Sequence, residues 1–192
     1  QKDVDVIDKP RSTGSILKPF LYGLAWQDGL VLPPSILPDI PTQYAGYAPK
    51  NFDKQYSGAV PASKALVRSL NVPAVQLIEF IEAGRFLTRL QHGGLKSFGP
   101  GSADPNPSVI LGGVGVKMEQ MVGLYSAFAR QGLAIKPRLR PEQPQQERRL
   151  LSAGSAWIIW DALAQHPYRS MHQKTQGQWN LAWKTGTSYG YR

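Results

Sequence analysis

Residues 11–20 read Arg11-Ser12-Thr13-Gly14-Ser15-Ile16-Leu17-Lys18-Pro19-Phe20. Ile16, Leu17, Phe20, Leu21 and Leu24 recur at helical spacing, which predicts a helix over about 15–27. Pro19 falls in its first turn, where a missing N–H does no harm. Ser15 and Lys18 stand three apart and share one face of such a helix. A serine hydroxyl is a weak nucleophile until a base removes its proton. A lysine can act as that base only in its neutral form, which burial and a second nearby cation both favour. The pair therefore reads as a candidate nucleophile and base at a helix N-terminus, whose positive potential suits developing negative charge.

S-x-x-K alone carries little weight: with 14 Ser and 11 Lys it arises by chance about 0.8 times in a chain of this composition. Two further motifs follow it. Ser69-Leu70-Asn71 sits at a break between two predicted helices, one over 64–69 capped by Ser63 and one from Pro73 to about Ala83. There a hydroxyl can relay a proton, and a carboxamide can both donate to and accept from a substrate amide. Lys184-Thr185-Gly186-Thr187-Ser188 closes a predicted strand over 178–185, in which Trp179, Leu181 and Trp183 alternate. Its glycine lets a ligand backbone approach, and Thr185 and Thr187 offer hydroxyls to an anionic group. S-x-N is expected about 0.3 times and K-T-G about 0.03 times, and all three in this order in under about 1% of shuffled chains.

The ordered trio resembles the signature of the penicillin-binding proteins and serine β-lactamases. The surrounding text, YAPKNFD over 47–53, YSGAVPASKALVRSLNVPAV over 56–75 and LGGVGVKMEQMVGLYSAFARQG over 111–132, is similar to the transpeptidase domain of class A penicillin-binding proteins. The resemblance implies an α+β fold of the β-lactamase/transpeptidase type. It also implies a site in which Ser15 attacks a D-alanyl-D-alanine stem peptide and Lys18 accepts its proton. Ser69 returns a proton to the departing D-alanine, and Lys184 keeps the site positive and orients Ser69. Asn71 holds the substrate amide, while Thr185, Gly186, Thr187 and Ser188 form the substrate-binding edge, the two threonines on the terminal carboxylate. The backbone N–H groups of Ser15 and Thr187 make the oxyanion hole. The implied partners are peptidoglycan stem peptides, β-lactam antibiotics, and an upstream glycosyltransferase domain with a membrane anchor. The implied location is the periplasmic face of the bacterial inner membrane, with no cofactor and no metal.

In that family a helical region packs on a five-stranded antiparallel sheet, with two strands ahead of the S-x-x-K helix and two after the K-T-G strand. Only 14 residues precede Ser15, and only Tyr189–Arg192 follow Ser188. The expectation is that residues 1–192 are a transpeptidase domain truncated at both ends, mainly its helical part with an incomplete antiparallel sheet. Lys184, Thr185 and Thr187 are then expected to be weakly held against Ser15, and the isolated chain to acylate slowly or not at all.

Composition agrees with a folded domain. The chain has 192 residues, 42% of them hydrophobic and 18% charged, enough for a sizeable core. It has no cysteine, which excludes a disulfide scaffold, a thiol nucleophile and a cysteine-ligated metal. Sixteen prolines and 19 glycines predict long connections, over 28–60 and 96–116. Further helices are predicted over 86–91, 118–130 and, capped by Ser152, 153–165, with short paired strands within 133–151. Net charge is +9, densest at Lys136, Arg138, Arg140, Arg148 and Arg149; no nucleic-acid signature accompanies it, and a solvated loop explains it. His92, His166 and His172 have no G-x-S-x-G elbow to serve. Two alternatives stay open. One is a serine β-lactamase, against which SLN in place of SDN leans; the other is a non-catalytic module that binds peptide or β-lactam.

Overall fold

The structure, a computed structural model, describes residues 7–44, 47–165 and 181–188. His166, His172 and Trp179 lie outside these residues. The elements are β1 (Arg11–Ser12), α1 (Lys18–Gln27), β2 (Ile36–Asp39), β3 (Gly58–Pro61), α2 (Ala62–Val67), α3 (Asn71–Ile81) and α4 (Ala83–His92). There follow α5 (Pro100–Ala103), a 3-10 turn at Pro107–Leu111, β4 (Gly115–Val116), α6 (Met118–Ala129), β5 (Leu133–Ile135), β6 (Glu147–Arg149) and α7 (Ala153–Ala164).

The helix opened by the S-x-x-K stretch is the axis of the fold. Every residue from Lys18 to Trp26 is buried, as befits a helix apolar on all sides. α1 packs against α2, α3 and α7, and α6 packs against α7 and β5. Leu17, Leu21 and Leu24 meet Leu66, Ile78, Phe86 and Ile159 in one continuous core. The Phe20 ring stacks on Phe128 with centroids 4.8 Å apart and meets Tyr125 edge-on at 5.1 Å. At the start of α7 the Ser152 hydroxyl accepts from the Ser155 N–H at 3.1 Å, the cap that its sequence position predicts.

The strands form three separate antiparallel pairs, β1–β4, β2–β3 and β5–β6. Among the described residues the fold is thus mixed but largely helical, with little sheet. β1–β4 aligns Arg11 with Val116 and Ser12 with Gly115. Together with the Thr13 N–H to Val114 O bond of 3.2 Å, it anchors the chain just ahead of Ser15. β2–β3 runs from Ile36↔Pro61 to Asp39↔Gly58, where the sequence predicts only loop. Pro33, Pro34 and Pro38 disguise the alternation, which still turns Leu37 and Asp39 inward. The basic stretch is the exposed β5–β6 hairpin and its loop.

Several boundaries differ from expectation. Ser15 is not on the helix but in a turn ahead of it. Bonds from Ile16 N to Thr13 O, Lys18 N to Ser15 O and Phe20 N to Leu17 O, at 3.1–3.2 Å, tighten this entry into i→i+3 geometry. Ser63 caps nothing, since α2 begins at Ala62 behind Pro61. Gly84 does not end a helix: Glu82 makes the break, and Gly84 lies in the first turn of α4. Residues 181–188 belong to no strand, although the K-T-G segment is predicted to end one. A strand is defined by ladder hydrogen bonds, and none of the three strand pairs includes this segment. Leu181 and Trp183 face outward while Ala182 packs on the core.

Candidate active site

Three segments meet at the N-terminal end of α1. The first is the turn that carries Ser15. Tyr125 on α6 donates its hydroxyl to Ile16 O at 2.7 Å, and Ser12 donates its hydroxyl to Gly112 O at 2.8 Å. These bonds hold both sides of the turn.

The second is the junction of α2 and α3. Ser69 adopts φ 61°, a left-handed conformation that costs a non-glycine residue free energy and is characteristic of constrained sites. The reversal sends the Ser69 carbonyl towards Lys18 and its hydroxyl towards Lys184. Lys18 is fully buried. Its ammonium donates to Ser69 O at 2.8 Å, Leu70 O at 3.1 Å and Asn71 Oδ1 at 2.6 Å. All three donors of the ammonium are thus engaged on the Ser69–Asn71 stretch, and Ser15 is not among the acceptors. Burial, and after it the charge of Lys184, hold the Lys18 pKa well below the usual lysine range.

The third is the extended 181–188 segment. The Lys184 ammonium donates to Ser69 Oγ at 2.6 Å and to Thr185 O at 2.8 Å, and burial lowers its pKa to about 8. The segment lies directly on the Ser15 turn. A Cβ on Gly186 would stand 2.6 Å from Ile16 Cγ2 and 3.1 Å from Thr13 O, and one on Gly14 would overlap the Thr187 carbonyl. Contrary to expectation, Thr187 is therefore closely held against this turn, and Lys184 is held on Ser69 beside it.

Between the segments opens a cleft of about 650 Å³ lined by Ser15, Ser69, Asn71, Thr185, Gly186, Thr187 and Ser188. The structure brings all nine residues singled out in the sequence to this place: seven line the cleft, and Lys18 and Lys184 reach Ser69 from beneath it. A hydroxyl that faces solvent in this cleft, with two lysines of depressed pKa behind it, can be activated as a nucleophile at neutral pH.

Other contributors carry no sequence motif. Asn51 and Phe52 line the cleft, and Asn51 Oδ1 accepts the Asn71 N–H at 2.8 Å. Their signal lay in the YAPKNFD stretch, which has no chemical pattern of its own. Tyr125 reads from sequence only as a core position of α6. Among the described residues, no group of three His, Asp or Glu is arranged to hold a metal. No helix there is long and apolar enough to cross a membrane.

Comparison with known proteins bears on the whole chain. The family described as the penicillin binding protein transpeptidase domain matches residues 2–192. The chain is 49% identical to penicillin-binding protein 1C of Escherichia coli over 98% of its own length and 24% of that protein's. The segments RSTGSILKPF and WKTGTSYGYR read most like this protein. The chain spans about a quarter of the length of the curated relatives it matches. Among solved structures, a peptidoglycan glycosyltransferase from Burkholderia ambifaria superposes with a TM-score of 0.79 at 16% identity, over 96% of this chain and 66% of that one. Penicillin binding protein 3 from Mycobacterium tuberculosis, complexed with ampicillin, gives a TM-score of 0.70 at 20% identity, over 85% of this chain and 43% of its own.

Proposed function

This chain belongs to the penicillin-binding protein transpeptidase family, and from that premise we propose that it carries the acylating site of a peptidoglycan D,D-transpeptidase. In this reading Ser15 Oγ attacks the carbonyl of the penultimate D-alanine of a stem peptide, and neutral Lys18 takes the hydroxyl proton. The carbonyl oxygen becomes an oxyanion, stabilised by the backbone N–H groups of Ser15 and Thr187. The C–N bond then breaks. Ser69 relays the proton held by Lys18 to the departing D-alanine amine, so that both Ser69 and Lys18 return to their starting states, and Lys184 keeps Ser69 oriented. Asn71 holds the substrate amide, and Thr185, Gly186, Thr187 and Ser188 receive its terminal carboxylate. An amine of a second stem peptide attacks the acyl-enzyme, restores the Ser15 hydroxyl and completes the cross-link. A β-lactam enters the same path and stays on Ser15.

One observation carries the reading. The side chains of Lys18 and Lys184 both hydrogen-bond to Ser69, at its carbonyl and its hydroxyl, and both have depressed pKa values. The chain is proposed to be the helical part of its domain, within a longer protein that has a glycosyltransferase domain and a membrane anchor and works at the periplasmic face of the inner membrane. No cofactor enters the chemistry.

The test is intact-mass measurement of the full-length protein after exposure to ampicillin. The expected result is one long-lived adduct that Ser15→Ala abolishes. Undiminished labelling of Ser15→Ala overturns the assignment of the nucleophile. Rapid loss of the adduct points instead to a β-lactamase, and the absence of any adduct on the folded protein to a binding module.

A further inference from the structure

A chain of polar groups leads from Lys18 along the wall of the cleft to the buried Asp39. It starts at Asn71, whose Oδ1 accepts from Lys18 and whose Nδ2 donates to Lys50 O at 2.7 Å. The Asn71 N–H, at the first residue of α3, donates to Asn51 Oδ1 at 2.8 Å. Asn51 Nδ2 donates to Asp39 Oδ1 at 2.7 Å and to Gln55 O at 2.8 Å. Asp39 Oδ2 accepts the Ser57 N–H at 2.8 Å. Asp39 is fully buried and Asn51 is 3% exposed.

Among the described residues no cation pairs with Asp39: the ion pairs there are Arg89–Asp28, Lys117–Asp8 and Arg130–Glu147. A carboxylate buried on hydrogen bonds alone is a costly way to close a two-stranded ladder, and an apolar residue at the same inward position of β2 serves packing better. Its charge also reaches α1. The Tyr22 hydroxyl, one turn beyond Lys18, is buried without a partner among the described residues, and its pKa is raised by burial and then by Asp39.

Asp39 also sets the direction of the chain. An ionised carboxylate accepts and never donates. It therefore obliges Asn51 to present its NH2 to Asp39 and its carbonyl oxygen to the Asn71 N–H. The start of α3 is fixed by that bond, and all three acceptors of the Lys18 ammonium lie within Ser69–Asn71.

We propose that Asp39 and Asn51 are positioning residues for Lys18, acting through Asn71. This rests on the reading of Lys18 as the base that activates Ser15. Asp39 lies outside the lining of the cleft and Asn51 within it; through this chain the two hold the base and the amide-binding side chain in one geometry.

The experiment measures the rate constant of Ser15 acylation by ampicillin in the full-length protein, alongside the melting temperature. In Asp39→Asn an NH2 group faces one of two donors, Asn51 Nδ2 or the Ser57 N–H. Acylation is expected to slow by at least about ten-fold in protein that remains folded. The double substitution Asp39→Asn with Asn51→Asp restores the pairing with the charge moved along. The new carboxamide at position 39 donates to the new carboxylate at position 51 and accepts from the Ser57 N–H, and that carboxylate still accepts from the Asn71 N–H. The double variant loses the bond to Gln55 O and sets a carboxylate oxygen against that carbonyl, so it is expected to recover part of the lost rate. Asn51→Ala cuts the chain at its middle while leaving Asp39 on Ser57, and provides the same reading where Asp39→Asn does not fold. An unchanged rate in both Asp39→Asn and Asn51→Ala, or a double substitution no faster than Asp39→Asn, overturns the proposal. Labelling that survives Ser15→Ala instead sinks the reading of the site itself, so the two failures are distinct.

Discussion

Lys184 Nζ lies 2.6 Å from Ser69 Oγ, although 115 positions separate the two residues in the chain. The carbonyl of the same serine accepts from Lys18 at 2.8 Å. One residue thus stands between two ammonium groups, and the charge of Lys184 makes the protonated form of Lys18 less favourable, on top of the larger effect of burial.

Replacing Lys184 by methionine is expected to raise the Lys18 pKa, because a positive neighbour is removed. Acylation needs neutral Lys18, so the acidic limb of the rate–pH profile should move to higher pH, and the maximal rate should fall with the loss of the Ser69 partner. Ampicillin labelling measured across pH checks both; a limb that stays in place while the rate falls contradicts the coupling of the two lysines.

The same depressed values have a consequence for stability. The Lys184 pKa is about 8 in the folded chain against an ordinary 10.5, so the unfolded chain binds more protons in the interval between them. Stability therefore rises with pH across that interval and is flat with respect to this group below it. Urea midpoints taken between about pH 7.5 and 9.5 should climb more steeply in the wild type than in Lys184→Met. Lys18 contributes with the same sign in both proteins, and equal slopes count against the assignment.

Gly186→Ala places a methyl group 2.6 Å from Ile16 Cγ2. Relief requires the 181–188 segment to lift away from the Ser15 turn. The expected cost is about 1–3 kcal/mol of stability, with a fall in acylation of at least about ten-fold. Denaturant unfolding and ampicillin labelling together test this, and full-rate labelling shows that close approach of the segment is dispensable.

Tyr125→Phe removes the donor to Ile16 O and leaves a carbonyl beside the nucleophile short of a partner. A loss of about 1–2 kcal/mol is expected, accompanied by slower acylation. Ser152→Ala removes the α7 cap and should cost a similar ~1 kcal/mol with no change in acylation rate, since α7 reaches the site only through the core. Comparing the two variants at equal stability separates a local effect on Ser15 from a general one.

The site was more legible than the fold around it. Ser15, Lys18, Ser69, Asn71 and the 184–188 segment announce themselves because their chemistry demands particular side chains at fixed spacing. The central helix was legible as well, since Ile16, Leu17, Phe20, Leu21 and Leu24 fall at helical spacing, although its burial on all sides was not. Its first turn was not: the choice between an α and an i→i+3 entry at Ser15–Leu17 depends on Tyr125 and on β1–β4 contacts about a hundred residues away in the chain. β2 and β3 stayed hidden because prolines occupy their pattern and each is only four residues long. Asp39 gave no signal and Asn51 only its place in the YAPKNFD stretch, because a hydrogen-bond chain among residues 39, 51 and 71 is a property of the fold and not of any local spacing.

The left-handed backbone of Ser69 narrows the substitutions open to that position. Glycine keeps the conformation but has no hydroxyl for Lys184. Threonine keeps the hydroxyl, but its β-branch is disfavoured at φ 61°. Asparagine and aspartate tolerate the backbone and lose the hydroxyl chemistry; alanine satisfies neither requirement. Serine alone meets both demands, so variants selected for reduced reactivity with β-lactams should accumulate around the rim of the cleft, at positions such as Phe52 or Ser188, and leave residue 69 unaltered.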